Sequence, residues 1–219
     1  MRTVLICTVI MSITATASEH DQRVSLPQAV FSSDMAVEEA LLERRSVRKF
    51  SKKALTLDDI AQLLWAAQGI TGSSTYRTAP SAGALYPIEM YLVAGNVEGL
   101  AQGVYRYRPK SHDLVRIVDG DRRRSLATAC WFQTWLRQAP AVIVTTGVFA
   151  RTARKYGERS ERYVQVEAGA VAQNIYLQAT SRGLGTVIVG AFRDTKVKAV
   201  LGLPEDHEPL TVMPVGHYR

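Results

Sequence analysis

The residues that decide how this sequence is interpreted are Leu42-Glu43-Arg44-Arg45-Ser46-Val47-Arg48-Lys49-Phe50. Three arginines and one serine stand together where a helix is expected to end, ahead of a mostly apolar remainder of the chain. Guanidinium groups and a hydroxyl can saturate the oxygens of a phosphomonoester with charge-assisted hydrogen bonds. A solvated basic helix end, stabilised by the helix dipole, explains the same pattern. The segment alone leaves both interpretations open.

The composition is that of a globular domain. The chain has 219 residues, of which 47% are hydrophobic and 21% charged, so it is long enough for a substantial core. The formal net charge is +7, and the basic residues are spread along the chain, with local clusters at 44–53, 121–124 and 151–162. This distribution suits an anionic ligand or a nearby membrane and argues against nucleic-acid binding. The four histidines are scattered without ligand spacing, so we expect no metal site.

The amino terminus resembles a cleavable export signal. Arg2 is followed by the apolar run Val4 to Ile13 and by small residues that end at Ala17, after which we expect cleavage. A retained signal anchor and a misassigned start codon are alternatives. We expect an exported, periplasmic protein if the signal is used and a cytoplasmic one otherwise, without a stable membrane span after cleavage.

Hydrophobic periodicity and turn residues predict one α+β domain at residues 35–219, preceded by the signal at 1–17 and an extended arm at 18–34. Helices are expected at 35–45, capped by Asp34; from Thr56 to Gly69, with Asp59 completing a capping box; at 122–136, in one or two pieces; at 158–181, ended by Gly183; and at 194–201. Strands are expected at 89–94, 103–107, 114–118, 141–148, 186–192 and 210–215.

Two further segments are candidates for ligand contact. The loop from Arg77 to Pro87 is rich in small residues and contains two prolines, which allows its backbone to press against a flat ligand. An ordinary surface loop fits this composition equally well. The segment Gly183 to Phe192 predicts a helix cap and then a strand that ends at Gly190, where a ligand can approach backbone N–H groups. Its glycines precede a strand, so it is not a dinucleotide-binding fingerprint.

The order of five motifs resembles a known family. The motifs are Leu26-Pro27, Arg44–Phe50, Ala79–Glu89, Glu167–Asn174 and Gly183–Phe192. Together they resemble the nitroreductase-like flavoproteins, and within them the SagB-type azoline dehydrogenase branch, over roughly residues 26–219. The resemblance implies a central, mostly antiparallel sheet flanked by helices, in a domain-entwined homodimer that holds FMN at the subunit interface.

The same resemblance assigns candidate cofactor-binding residues. The FMN phosphate and ribityl chain would be bound by Arg44, Arg45, Ser46 and Arg48, with Arg219 as a weaker candidate. The isoalloxazine would be lined by Pro80, Ser81, Ala82 and Gly83, partly from the partner subunit, with Gln133 at its edge. The backbone of Val189, Gly190 and Ala191 would lie beside the ring, near its reactive N5.

The resemblance also suggests a catalytic pair, Lys155 and Tyr156. A tyrosine is a poor base at neutral pH, and a neighbouring ammonium group would help by lowering its pKa. Adjacent residues of a regular helix point apart, so both can serve one site if the backbone is irregular there, which Gly157 would allow. A solvated lysine beside a packed tyrosine is the alternative.

The function expected from this resemblance is an FMN-dependent oxidoreductase or dehydrogenase that transfers a hydride through flavin N5. Its substrate would be a small molecule or a peptide-derived compound, and its electron donor and acceptor are not specified by the sequence. An NAD(P)H-dependent nitro or quinone reductase and a non-catalytic flavin-binding protein are the two alternatives.

Overall fold

The computed structural model describes residues 23–72 and 76–218. The predicted signal at 1–17, the first part of the predicted arm at 18–22 and the candidate Arg219 therefore lie outside the described residues. None of the helices in the described part of the chain is long and apolar enough to cross a lipid bilayer.

The centre of the fold is a seven-stranded antiparallel sheet. Its strands are β1 (Arg23–Ser25), β2 (Ile88–Ala94), β3 (Gly103–Arg108), β4 (Asp113–Asp119), β5 (Ala141–Gly147), β6 (Gly185–Thr186) and β7 (Glu208–Gly216). Their order is β1-β4-β3-β2-β5-β7-β6, and all neighbours run antiparallel. The middle of the sheet is the pairing of β2 with β5, from Ile88 opposite Gly147 to Ala94 opposite Ala141. This arrangement confirms the predicted antiparallel α+β fold.

Helices cover both faces of the sheet. They are α1 (Val37–Glu43), α2 (Leu57–Gln68), α3 (Arg123–Ala129), α4 (Trp135–Gln138), α5 (Phe149–Tyr156), α6 (Ser160–Ser181) and α7 (Asp194–Leu201). Along β2, Met90 and Leu92 pack in the core that contains α2 and α6, whereas Tyr91 and Val93 pack in the core that contains α3, α4 and α7. A strand covered on both faces buries every side chain, whichever face it points to, which explains the continuous apolar run from Met90 to Ala94 in β2.

Local capping signals place α2 as predicted. The Thr56 side chain accepts a hydrogen bond from the Asp59 N–H, and the Asp59 carboxylate accepts one from the Thr56 N–H, forming the expected capping box. The helix ends before Gly69, whose N–H still donates to the Trp65 carbonyl oxygen. The predicted end of α6 is confirmed as well, since Gly183 has a φ of +66°.

Two predicted details are wrong, the cap of α1 and the strand at 186–192. Helix α1 is preceded by Ala36, which makes no side-chain cap, so Asp34 is not the N-cap. The helical region at 122–136, predicted in one or two pieces, consists of two helices, α3 and α4, because Trp131 and Phe132 adopt φ values of +55° and +60° between them. The predicted strand at 186–192 is reduced to Gly185–Thr186, with Val189 pairing again with Val212. Between them the Ile188 N–H turns away from the sheet and donates to the Tyr176 hydroxyl.

The capping box of α2 provides a test of the fold. We expect Thr56→Ala to lower the free energy of unfolding by about 1 kcal/mol, because an N-cap hydroxyl is lost from a packed helix. Urea denaturation followed by circular dichroism measures this loss. Thr195→Ala, at an exposed position inside α7, is the matched control. We expect it to leave the free energy of unfolding unchanged or to raise it slightly. Equal losses in both variants would contradict the assignment of Thr56 as the N-cap of α2.

Candidate functional site

The arginine-rich segment is held in an extended conformation against strand β6. Ser46 forms a parallel bridge with Thr186, and the Val47 N–H donates to the Thr186 carbonyl oxygen at 2.9 Å. Gly185 permits this approach, since a Cβ at that position would lie 2.7 Å from Val47 Cβ. Because side chains alternate along an extended chain, Arg44 and Ser46 project toward the same side. Gly185, the first residue of β6, therefore allows the basic segment to lie against the sheet edge.

Tyr176 of α6 joins this segment to the next candidate region. Its hydroxyl oxygen lies 3.0 Å from Ser46 Oγ and accepts a hydrogen bond from the Ile188 N–H at 2.8 Å. The Arg44 guanidinium lies over its ring, 5.0 Å from the centroid. The sequence interpretation did not identify this residue. One signal in the sequence could have identified Tyr176: it is a tyrosine at a buried helix position, and a buried phenol hydroxyl needs hydrogen-bond partners.

Within residues 23–72 and 76–218, no carboxylate neutralises the positive charge of the segment. The Arg45 guanidinium donates to the carbonyl oxygens of Leu42 and Arg44 at 2.7 and 2.9 Å, so it caps the end of α1. The Arg48 guanidinium lies 6.0 Å from the centre of the Trp135 ring. Among the residues that the structure describes, no carboxylate forms an ion pair with any of these three arginines. An exposed basic segment of this kind is suited to a bound anion.

The segment around Gly190 forms the continuation of the same surface. Val189 is buried and exchanges two backbone hydrogen bonds of 2.9 Å with Val212. Gly190 and Ala191 are exposed, and a Cβ built on Gly190 would have no heavy atom within 4 Å. The Gln133 amide donates to the Ala191 carbonyl oxygen at 3.1 Å. The backbone at Gly190 is therefore open to the approach of a ligand.

The loop Pro80–Gly83 lies in a different place. It is fixed by its own hydrogen bonds, since Ser81 Oγ accepts from the Tyr86 N–H at 2.9 Å and the Ser81 carbonyl accepts from the Ala84 N–H at 3.0 Å. Ser81 interacts with Glu167 of α6. Glu167 precedes Tyr176 by nine residues, so the two side chains are separated by about half a turn around the helix axis and by roughly 13 Å along it. One chain thus places the loop and the arginine segment on different sides of α6.

Lys155 and Tyr156 converge on this loop. A Cβ built on Gly83, whose φ is +63°, would lie 2.9 Å from Tyr156 Oη and 3.0 Å from Lys155 Nζ. The two neighbouring side chains reach one point because α5 ends there: Tyr156 has a φ of −117° and Gly157 a φ of +53°. The irregular backbone that Gly157 would allow is therefore present, and the structure brings both residues to the loop and not to the arginine segment.

Comparisons with known proteins place this chain in a family. A family model described as the nitroreductase family matches residues 41–217. The chain belongs to the nitroreductase family. The crystal structure of a predicted nitroreductase from Ralstonia eutropha superposes with a TM-score of 0.80 at 29% identity, covering 93% of this chain and 92% of that one. The relatives of the present chain include oxidoreductases, and the chain itself is an oxidoreductase.

Three curated relatives of this nitroreductase-family chain are informative. The predicted nitroreductase MJ1384 of Methanocaldococcus jannaschii is 45% identical over 183 residues, covering 84% of this chain and 91% of that protein. The FMN reductase (NADPH) of Bacillus subtilis is 27% identical, covering 82% and 64%. The microcin B17-processing protein McbC of Escherichia coli is 30% identical over 139 residues, covering 60% and 50%. The chain therefore spans about half to two thirds of the last two relatives.

Tyr176 gives the test of this geometry. We expect Tyr176→Phe to lower the free energy of unfolding by about 1 to 2 kcal/mol, because the Ile188 N–H and Ser46 Oγ both lose a partner. Chemical denaturation measures the change. Tyr163→Phe is the control on the same helix, since its hydroxyl makes no hydrogen bond to the described residues. A Tyr176 variant as stable as the Tyr163 variant would contradict the role of this hydroxyl.

Proposed function

We propose that this chain is an FMN-dependent oxidoreductase that transfers a hydride through flavin N5. The observation that carries the proposal is the connection, through Tyr176, between an unneutralised arginine segment and the exposed backbone at Gly190. A phosphate dianion at one end and a flat ring at the other would match these two features. The FMN named in the Bacillus subtilis relative supports this choice of cofactor.

The residues present fit FMN. The phosphate and ribityl chain would be held by Arg44, Ser46 and Arg48, while Arg45 supports the segment by capping α1. The ring would rest against the backbone of 189–191, with Gln133 fixing the Ala191 carbonyl beside it. When bound, the flavin supplies the hydride-accepting chemistry, and the protein supplies binding, orientation and electrostatics.

A homodimer would complete the site. In one chain α6 separates the arginine segment from the Pro80–Gly83 loop, so a loop that lines the same ring has to come from a second copy. The outer side of α6 is suited to such a contact, because Val166 is 66% exposed and the Cβ position of Gly169 is open. A two-fold axis brings the same helix of each subunit together and forms two identical sites.

Within the family, the SagB-type branch is our more specific proposal. The convergence of Lys155 Nζ and Tyr156 Oη at Gly83 brings an ammonium group and a phenol to one point of the loop, which supports a proton-transfer role. Tyr156 would accept a proton from a small-molecule or peptide-derived azoline substrate as the hydride leaves. The relationship to McbC, a microcin-processing protein, is consistent with this class of substrate.

The first test concerns flavin retention. We expect the purified protein to be yellow, and Ser46→Ala or Arg48→Ala to weaken FMN binding by roughly 1 to 3 kcal/mol each, because each removes a contact to the phosphate or ribityl chain. Fluorescence titration of apoprotein with FMN measures the affinity. Arg124→Ala, an exposed arginine on α3, is the control and should bind FMN as the wild type does. Protein that binds no added FMN would overturn the proposal.

The second test concerns the catalytic pair. We expect Tyr156→Phe and Lys155→Met to lower kcat for oxidation of an azoline model compound by about a hundredfold, as expected for loss of a general base. Lys196→Met on α7 serves as the control. The flavin content of all variants, measured by absorbance, should match the wild type. Unchanged kcat in both variants would remove Lys155 and Tyr156 from the mechanism.

The NAD(P)H-dependent nitro or quinone reductase is a second candidate, favoured by the NADPH named in the Bacillus subtilis relative. Rapid bleaching of the bound flavin by NADPH in anaerobic stopped-flow absorbance would favour it over the dehydrogenase. A flavin that is bound tightly but reduced by no donor would indicate the third alternative, a non-catalytic flavin-binding protein.

A further inference from the structure

Glu167 is a buried acidic residue beneath the Pro80–Gly83 loop. Its residue surface is 4% exposed, and its carboxyl group interacts with the Ser81 hydroxyl and with the charge of Arg77. One carboxyl oxygen, Oε1, has no hydrogen-bond partner among the described residues. A carboxyl group is costly to bury in this way, so its presence requires an explanation.

The loop above Glu167 is organised around Ser81. Ser81 Oγ accepts the Tyr86 N–H and the Ser81 carbonyl accepts the Ala84 N–H, so this residue fixes both sides of the turn. Gly83 at the centre of the turn is the point on which Lys155 and Tyr156 converge. A change in the contact between Ser81 and Glu167 would therefore move Gly83, two residues further along the loop, relative to Lys155 and Tyr156.

We propose that Glu167 is a positioning residue, which holds Ser81 and thereby sets the distance of Gly83 from Lys155 and Tyr156. This inference rests on the proposed function of that pair. Glu167 itself does not contact the reacting atoms. It determines where the loop places Gly83 relative to Lys155 and Tyr156. The unpartnered oxygen allows the carboxyl group to take up or release a proton without breaking another contact.

Protonation of Glu167 would reverse the direction of its hydrogen bond with Ser81. Burial raises the pKa of Glu167 to about 7, while Ser81 and Arg77 partly offset this increase. The ionised carboxylate accepts a hydrogen bond from the Ser81 hydroxyl, whereas the neutral acid offers its own proton to that oxygen. The charged and titratable groups around this contact include Arg77, which interacts with Glu89, Tyr86 and Arg151, and the pair Lys155 and Tyr156 at Gly83. The loop should therefore change with pH near neutrality.

Hydrogen–deuterium exchange of the full-length protein tests this inference. In the wild type we expect exchange of the Ala82–Tyr86 amides, corrected for intrinsic rates, to change severalfold between about pH 6 and 8. Glu167→Gln should make it independent of pH, and kcat should fall about tenfold with KM and FMN content unchanged. Glu161→Gln, at an exposed position on the same helix, should behave as the wild type does.

A Glu167→Gln variant that keeps the wild-type pH dependence of loop exchange and of kcat would overturn the inference. If this variant does not fold, Ser81→Ala removes the same contact from the loop and should also abolish the pH dependence; retention of that dependence would again overturn it. The exchange measurement needs no turnover, so failure of the proposed function, seen as absent FMN binding, is distinguishable from failure of this inference.

Discussion

The Tyr176 hydroxyl lies between Ser46 Oγ, at 3.0 Å, and the Ile188 N–H, at 2.8 Å, and the rest of the candidate site depends on this pair of contacts. It fixes the basic segment relative to the exposed backbone at Gly190 although the two are far apart in sequence. Leaving a buried hydroxyl and an N–H without partners would cost roughly 1 to 3 kcal/mol. The same contact removes Ile188 from the sheet and so opens the surface on which a flat ring can lie.

Helix α6 imposes a second constraint on the architecture. It presents Tyr176 to the arginine segment and Glu167 to the Pro80–Gly83 loop, and these positions lie about half a turn apart around the helix axis. On the proposed function, a single chain would therefore hold the phosphate-binding half of one site and the loop and proton-transfer pair of another. Pairing two copies along α6 would unite these halves, which links the proposed oligomeric state to the proposed chemistry.

The sequence predicted the features that depend on local signals. The capping box of Thr56 and Asp59, the helix end at Gly183 and the irregular backbone at Gly157 each follow from residues close together in the chain. The shortened strand at 186–192 could not be predicted, because the Ile188 N–H is captured by a side chain from another element. The roles of Tyr176 and Glu167 were missed for the same reason, since their partners come from distant segments.

The most direct measurement compares FMN with riboflavin, which lacks the phosphate, by isothermal titration of the apoprotein. If the segment 44–48 binds the phosphate, the wild type should prefer FMN by roughly 10- to 100-fold, as expected for a charge-assisted hydrogen-bond set. Arg48→Ala should lose most of this preference while still binding riboflavin. Equal affinity for the two compounds in the wild type, or no binding of either, would contradict the account.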